Sequence, residues 1–598
     1  MMPRCRLYEF DHFRLDARRR LLWRDGEAVR LKPKVFETLL VLIENRGRLL
    51  EKDDLMELLW PASVVEEGNL NKNICELRQL LGEAARENRY IVTVPGRGYN
   101  FVAEVREVDA DFAEDEHAIS STLACRHNAQ TADPPGHSIA VLPFTQLTGD
   151  ARDEYLGLGI ADALITRLSK LRHIVVRPTS AVAHYVPPAE AAEAGRALRV
   201  GSVLEGTVRR AGDRIRVSAQ LVSVNDKRTL WAAQFDESFT DVFTVEDRVS
   251  TQIAKALALE LSDDDRELLR RPHTENREAY RLFWLGRYYF NQLPLQLEES
   301  LACFQEAIEL DPTFALARVE LAMCHCFRGL FAIVPPRECY PHARTAVTKA
   351  LELDPHLAEA YVALGRIEHE HEWNWAAAER AFLRAIDLSP NLAIAHTYYA
   401  FHLLMMARAE ALIEIDRAQA LDPSSLLNPT IKGLIFLARR HYEDAVLMLR
   451  DVLERDPAYY PALWLLGMAY EQEGRLEKAI SLYEQAALAN PVHMLSHLGY
   501  AYAIAGRRDD ARKALAALDA EASRRYVSPY SFVFIYAGLG DTERVFDWFE
   551  KAYEARDPKL ATLKVHPRWD SLRDDPRFMD LLCRVGLASQ EVVADCCV

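Results

Sequence analysis

One segment of this 598-residue chain carries side chains that can hydrogen-bond to base edges. In "EEGNLNKNICELRQLLGE", residues 66–83, one buried stripe is predicted at helical spacing by Leu70, Ile74, Leu77 and Leu81. Amides pair with adenine, carboxylates accept from cytosine, and Lys and Arg reach guanine or phosphate. The candidate DNA contacts of the polar face and its flanks are Asn69, Asn71, Lys72, Asn73, Glu76, Arg78 and Gln79. In an isolated helix, such a face is more often simply solvated.

The elements predicted around this segment indicate how its polar face is used. "KPKVFETLLVLIENRG" predicts a helix that ends at Gly47, and "EKDDLMELLW" predicts a short helix. "RYIVTVPGRGYNFVAEV" predicts a hairpin with Arg97 at its tip, where Gly96 and Gly98 permit the turn and a close backbone approach. We expect this hairpin to join "FDHFRLD" and "RLLWRDGEAVRL" in one small antiparallel sheet, with Asp25-Gly26 at a tight turn. The order of these elements is that of a winged helix-turn-helix.

The first 105 residues resemble the OmpR/PhoB-type winged-helix DNA-binding family. The resemblance rests on "FRLD", "LKPKVFETLLVLIENRGRLLEKDDLMELLW", "NLNKNICELRQLLG" and "YIVTVPGRGYNFV". It implies that the third helix enters the major groove and the hairpin wing enters the adjacent minor groove, where a narrow groove attracts the Arg97 guanidinium. Cys75 and Glu76 stand where members often carry basic residues, so we expect more dependence on Arg97, Arg78 and Lys52.

Composition and charge limit the remaining possibilities. The net charge is −16, but residues 1–106 hold 19 basic and 17 acidic residues, so the remainder carries −18. A slightly basic N-terminal domain attached to an acidic remainder is typical of a domain that binds a polyanion. The ten cysteines show no framework spacing, and we find no signal peptide or membrane-spanning run, so a cytoplasmic protein is expected. The first strand begins near residue 7, from which we expect no receiver domain and no phospho-aspartate control within this chain.

Beyond the N-terminal domain, the sequence predicts a linker and a second domain. Residues 107–136 are acidic, then polar, then Pro-Pro-Gly, which indicates a flexible linker. Residues 137–262 predict strands, helices and a meander with turns at 211–213 and 225–226, closed by a helix over 241–261. "AVLPF", "EYLGLGIADALITRLSKL" and "LEGTVRRAGDRIRVSAQLV" resemble the TolB amino-terminal-like domain. That resemblance implies a ligand- or protein-contacting module, and its partner is left open.

Residues 273–586 contain a repeat. "AIELDP", "ALELDP", "AIDLSP", "AQALDP", "VLERDP" and "AALANP" end at prolines 312, 355, 390, 423, 457 and 491, at spacings of 43, 35, 33, 34 and 34. The period resembles that of tetratricopeptide repeats, in which each proline ends a second helix and glycines let paired helices approach. The resemblance implies a superhelix that binds a peptide or protein on its concave face. Residues 566–587 predict a capping helix.

Several tempting residues do not form a reactive site. His369 and His371 lie at i and i+2, which does not place them on one helix face, and Cys324 and Cys326 fall at buried-type helix positions. We therefore expect no catalytic residues, cofactor or metal. The predicted fold is multidomain: an α+β winged helix-turn-helix, a middle α/β TolB-like domain and an all-α repeat superhelix.

The leading hypothesis is a bacterial-type, one-component transcriptional regulator that binds double-stranded DNA and is controlled through its other domains. Homodimerisation on paired half-sites is a further hypothesis. The alternative is a repeat-based scaffold whose winged helix mediates protein contacts. Glu76 and the modest charge of the N-terminal domain are the features that favour the scaffold.

Overall fold

The computed structural model describes residues 6–588 apart from the gaps that follow: 17–20, 25–26, 30–32, 60–66, 82–88, 95–96, 104, 110–137, 148–154, 170, 172–173, 183–184, 186–190, 212–213, 239–247, 250, 254, 257–273 and 291–295. The chain divides into two compact units, Met1–Asp133 and Pro134–Val598. The predicted Asp25-Gly26 turn lies outside the described residues, as does most of the helix expected over 241–261.

The N-terminal unit contains two small antiparallel sheets rather than the single sheet that we expected. The first has the order β4-β3-β2-β1-β8, and the second has the order β5-β7-β6. The strands are β1 (Arg6–Phe10), β2 (Phe13–Asp16), β3 (Leu21–Arg24), β4 (Glu27–Val29), β5 (Leu50–Glu51), β6 (Ile91–Val94), β7 (Gly98–Phe101) and β8 (Arg106–Asp109). The prediction failed because β8, not the wing hairpin β6–β7, pairs with β1. The hairpin pairs instead with β5, which is only two residues long.

The described residues of this unit also form the predicted helices α1 (Pro33–Glu44), α2 (Lys52–Leu59) and α3 (Glu67–Leu80). After α1 the chain turns through Gly47, whose φ of 76° suits a residue without a Cβ. Aromatic rings fill the space between the sheets. The rings of Phe10 and Phe101 pack edge to face, with their centroids 5.3 Å apart.

The middle domain begins the second unit and has the predicted α/β arrangement. Its sheet runs β11-β9-β12-β13-β14, with β10 beside β12. β9, β11 and β12 are parallel, whereas β12, β13 and β14 form an antiparallel meander. The elements are β9 (Ser138–Val141), β10 (Thr145–Gln146), α4 (Tyr155–Leu168), β11 (Val175–Val176), α5 (Thr179–Val182), α6 (Ala191–Ala197), β12 (Ser202–Ala211), β13 (Arg214–Ser223) and β14 (Thr229–Ser238).

Eight helix pairs follow, and their connections explain the proline period. Five of the six prolines lie two residues beyond the second helix of a pair, whereas Pro491 opens a first helix instead of ending a second one. The pairs are α7 (Arg277–Phe290) and α8 (Leu297–Leu310), α9 (Ala315–Leu330) and α10 (Pro336–Leu353), α11 (Ala358–Ile367) and α12 (Trp375–Leu388), α13 (Ala393–Met405) and α14 (Ala411–Leu421), α15 (Leu427–Ala438) and α16 (Tyr442–Arg455), α17 (Tyr460–Gln472) and α18 (Leu476–Ala486), α19 (Pro491–Ile504) and α20 (Arg508–Ala522), and α21 (Tyr530–Leu539) and α22 (Thr542–Glu554).

The two helices of a pair approach closely at glycines, as the repeat pattern predicts. A Cβ on Gly365 would lie 2.6 Å from the ring of Phe382, and one on Gly467 would lie 2.5 Å from the ring of Tyr483. The segment "EHEHE" is a single π-helical turn, Glu368–Glu372, that buries His369. The predicted burial of Cys324 and Cys326 in a repeat helix is confirmed.

The middle domain is joined to the helix pairs by buried polar contacts. The Arg177 guanidinium donates to the carbonyls of Ala420 and Leu421 at 3.0 and 2.6 Å, beyond the end of its own domain. On α4, Asp162 lies 3.1 Å from Arg287 of α7. Because a buried guanidinium without acceptors is costly, these contacts make the second unit one body rather than two loosely joined domains.

A segment that follows the last helix pair packs back along the repeat array. This C-terminal segment, residues 557–587, contains 3₁₀ turns at Pro558–Thr562 and Pro567–Leu572 and then α23 (Pro576–Val585), where a single capping helix was predicted. In successive pairs, the segment contacts either the first helix or the residues just after it. Its contacts with these helices include Lys564 to the Met406 carbonyl, Val565 and Asp570 to Arg440, Arg568 to Glu471, and Trp569 to Tyr530. The chain itself therefore covers part of the repeat array along these helices.

Candidate nucleic-acid interface

The predicted recognition helix α3 presents two unlike faces. Its apolar stripe is buried as predicted, at Leu70, Ile74, Leu77 and Leu81. Lys72 is exposed and Glu76 is half-buried on the other side. Asn69, Asn71 and Gln79 lie on α3, but their side chains fall outside the described part of the structure. The helix thus turns one charged surface towards solvent while its stripe anchors it to the unit.

Asn73 points towards the protein. Its amide Nδ2 donates to Thr38 Oγ1 at 3.1 Å and lies 3.4 Å from the Lys34 carbonyl oxygen, and both partners belong to α1. Lys34 in turn donates through Nζ to the carbonyl of Leu59, the last residue of α2. These contacts link all three helices, so the described position of Asn73 suits fixing the orientation of α3.

Arg78 connects the recognition helix to the wing. Its Nη2 donates to the Ile91 carbonyl at 2.7 Å and to Thr93 Oγ1 at 2.8 Å, and both acceptors are on β6. A guanidinium that bridges two elements in this way fixes their relative position. The sequence presented Arg78 as a candidate DNA contact, and its described hydrogen bonds show an anchoring contact.

The wing brings Arg97 beside Lys52. The Arg97 amide donates to the Val94 carbonyl at 3.0 Å, and the Arg97 carbonyl accepts from the Lys52 amide at 3.1 Å. The Arg97 side chain is 65% exposed, and its Nη2 lies 3.5 Å from Glu51 Oε1. An exposed pair at this distance is weak, so the guanidinium remains available to a phosphate.

Gly98 makes this arrangement possible. It pairs with Glu51 across β5 and β7. A Cβ at Gly98 would lie 1.9 Å from the Leu50 carbonyl oxygen, closer than any side chain allows. Only glycine therefore lets the wing approach the start of α2. Pro95 and Gly96, the other residues of the predicted tip, lie outside the described residues.

A second contact holds the base of the wing. Arg89 and Tyr90, which precede β6, both donate to Asp11 Oδ2 at 2.5 Å. Burial and the Asp11 carboxylate raise the pKa of Tyr90 to about 12, so its hydroxyl stays protonated and donating. The Tyr90 hydrogen bond in turn lowers the pKa of Asp11.

The sequence interpretation missed two participants, Glu51 and Asp11. Glu51 lies 46 positions before Arg97, and only the β5–β7 pairing brings them together. Asp11 lies 78 positions before Arg89. No periodicity or motif relates residues at such separations, so neither contact was available from the sequence.

Comparison with known proteins supports the same domain order. Residues 26–101 match the family model "Transcriptional regulatory protein, C terminal". Residues 135–252 match "HilA/YgeH-like transcriptional regulator, second domain", and residues 432–492 match "Tetratricopeptide repeat". The TolB resemblance of the middle domain is not confirmed, because the model that matches there is the HilA/YgeH one.

Three relatives illustrate the extent of similarity. "Transcriptional regulator HilA" of Salmonella typhi is 24% identical over 442 residues, which cover 73% of this chain and 75% of that protein. "Transcriptional activator CadC" of Escherichia coli is 29% identical over 119 residues, covering 20% and 23%. "Putative adenylate cyclase 3" of Rhizobium meliloti is 34% identical over 199 residues, covering 32% and 34%, so this chain spans about a third of that relative's length.

The described residues add two observations. None of their helices is long and apolar enough to cross a membrane. Within the same residues, no group of three or more His, Cys, Asp or Glu side chains could hold a metal ion. The family matches and the winged-helix geometry together show that this chain is a homologue of transcriptional regulators, with an OmpR/PhoB-type DNA-binding domain at its start and tetratricopeptide repeats towards its end.

Proposed function

We propose that this chain is a one-component regulator that binds specific double-stranded DNA sites through α3 and the wing. The observation that carries the proposal is the placement of exposed Lys72 on α3 and exposed Arg97 on the wing, with Lys52 at the junction of α2 and the wing. A helix face that exposes Lys72 and a hairpin that exposes Arg97 suit two adjacent grooves of duplex DNA.

We divide the candidate residues into three groups. Asn73 and Arg78 hold α3 against α1 and β6, so we assign them to positioning. Lys52, Lys72 and Arg97 suit phosphate or groove contacts. We assign base reading to the remaining candidates of α3, which are Asn69, Asn71, Glu76 and Gln79.

The second unit is the proposed source of control. Its middle domain and helix pairs form one body through Arg177 and Asp162, so a ligand of either part can act on both. A protein partner of the repeats would use a surface other than that covered by the C-terminal segment, or would displace the segment. We further propose a cytoplasmic location, where the DNA is, and no enzymatic activity.

Selection of binding sites by the full chain from a random duplex library tests the proposal. Gln79→Ala should change the preferred base at one or two positions, by about 1–3 kcal/mol of discrimination. Asn73→Ala, its matched control on the same helix, should weaken binding to all sequences alike because it disturbs positioning. Failure of the full chain to enrich any sequence would refute the proposal and favour the scaffold alternative.

A further inference from the structure

The middle domain carries a second basic hairpin, at the end of β12 and the start of β13. Residues 209–216 read "RRAGDRIR", four arginines with one aspartate. In the strand register, Arg209 lies directly opposite Arg216. Arg214 lies two residues before Arg216 and therefore on the same face of the sheet.

The charge on this face is only partly balanced. Asp236 of β14 accepts from Arg214 at 2.7 Å and from Arg216 at 2.5 Å, so one carboxylate serves two guanidiniums. The two arginine side chains are 66% and 52% exposed. Arg209 is also exposed and has no ion-pair partner within the described residues. Like charges placed directly opposite destabilise a sheet, so a ligand that neutralises them would relieve this repulsion.

The next row of this face is polar and uncharged, and the row beyond it holds Glu205, which accepts from Gln220 at 2.6 Å. Thr207 lies opposite Ser218, and Ser218 lies opposite Gln234, which continues the arginine rows with hydroxyl and amide groups. The opposite face of β13 is apolar and buried, at Ile215 and Val217. Arginine, serine, threonine and glutamine are the residues that commonly hydrogen-bond to phosphate oxygens of nucleic-acid backbones.

We propose that this arginine face of β12, β13 and β14 binds the phosphate backbone of duplex DNA outside the site that the winged helix reads. The proposal rests on the proposed function, because it requires the chain to be on DNA. Residues beyond 106 carry a net −18, so a basic face within them is a local exception that fits a polyanion. The 28 residues from 110 to 137 could span at most about 100 Å, which is roughly 30 base pairs, so flanking DNA is within the reach of the chain.

A salt titration of DNA binding by the full chain tests the proposal. Two duplexes are compared: a site selected by the full chain and trimmed to the winged helix's footprint, and the same site with roughly 30 base pairs of random sequence on each side. The test variant is Arg209→Gln with Arg216→Gln, which leaves the Arg214–Asp236 pair in place. The matched control is Lys227→Gln with Arg228→Gln, which removes two charges at the opposite end of the same meander.

On the long duplex, the test variant should flatten the slope of log affinity against log salt by about 0.9 for each phosphate that is no longer neutralised, or about 1.8 in all. On the short duplex it should match the wild type, and the control should match the wild type on both. The thermal midpoint of the test variant should be unchanged or raised, because facing like charges are removed.

Each other outcome overturns a stated claim. Equal slopes for wild type and test variant on the long duplex would overturn the second contact and leave the proposed function intact. Tighter binding by the test variant would also overturn it, because the arginines would then oppose DNA binding. Failure of the wild type to select any site from the library would refute the proposed function itself.

Discussion

The ion pair between Arg568 and Glu471 is the most exacting test of how the C-terminal segment is held. The two side chains are 0% and 1% exposed. Arg568 donates through Nη2 to Glu471 Oε2 at 2.5 Å and through Nε to Oε1 at 2.7 Å, a bidentate geometry. Its Nη1 lies 3.0 Å from His497 Nδ1, and Tyr483 donates to the same carboxylate at 3.0 Å.

The size of the expected effect follows from this burial. Arg568→Met would leave the Glu471 carboxylate without its counter-charge, and breaking a buried pair by removing one partner costs about 3–5 kcal/mol. Replacing both side chains with methionine removes the stranded charge, so the double variant should recover most of that loss. Arg577→Met is the matched control, because Arg577 is 44% exposed and pairs with Glu543 and Asp575 at the surface, where such pairs contribute about 0–1 kcal/mol.

Hydrogen exchange of the amides in residues 557–587 of the full chain measures the opening of this segment. Arg568→Met should accelerate exchange there by roughly 100-fold to 5,000-fold, which corresponds to the loss of about 3–5 kcal/mol of protection. The control variant should leave exchange within a few-fold of wild type. Exchange of Arg568→Met at the wild-type rate would refute the reasoning. So would a double variant whose loss of protection equals the sum of the losses in the two single variants.

The wing and the buried histidines give two further predictions. Gly98→Ala should abolish specific DNA binding, because the added Cβ would overlap the Leu50 carbonyl and separate β7 from β5. The control is Gly47→Ala, whose Cβ would meet no atom within 4 Å; it should cost about 1 kcal/mol of stability and retain DNA binding. Equal DNA binding by the two variants would contradict this prediction. Burial lowers the pKa of His402, whose Nδ1 lies 3.1 Å from Nδ1 of His369, to about 4. Its contribution to the free energy of unfolding is therefore complete above about pH 6.5. Below that pH the unfolded state takes up the proton first, so the contribution falls by about 3 kcal/mol at pH 4. Thermal midpoints between pH 7.5 and 4.5 should therefore fall less steeply for His402→Gln than for wild type, and parallel profiles would contradict the assignment.

The sequence predicted those features that depend on local periodicity. The buried stripe of α3 followed from residues three and four apart, and the helix pairs followed from a 33–35-residue proline period. The winged-helix order followed from a succession of short elements. All of these signals lie within one or two neighbouring elements, where side-chain spacing and backbone geometry are directly related.

The features that the sequence did not reveal join residues far apart. The Nε1 of Trp375 donates to the carbonyl of Val585, 210 positions later. Arg568 and Glu471 are 97 positions apart. Such contacts depend on the curvature of the whole array, which a period of about 34 residues does not specify. The candidate base contacts of α3 depend on side-chain direction, and for Asn73 the amide turned towards α1.

The most direct test of the central claim is a salt titration of duplex DNA binding by the full chain, wild type against Arg97→Ala. Arg89→Ala is the control, since Arg89 is another exposed arginine of the same unit, bound to Asp11. The account predicts that Arg97→Ala weakens binding and lowers the salt slope by about 0.9, as the removal of one phosphate contact requires, while Arg89→Ala affects the slope less. An unchanged affinity and slope in Arg97→Ala would contradict the assignment of the wing to DNA, and with it the proposed mode of recognition.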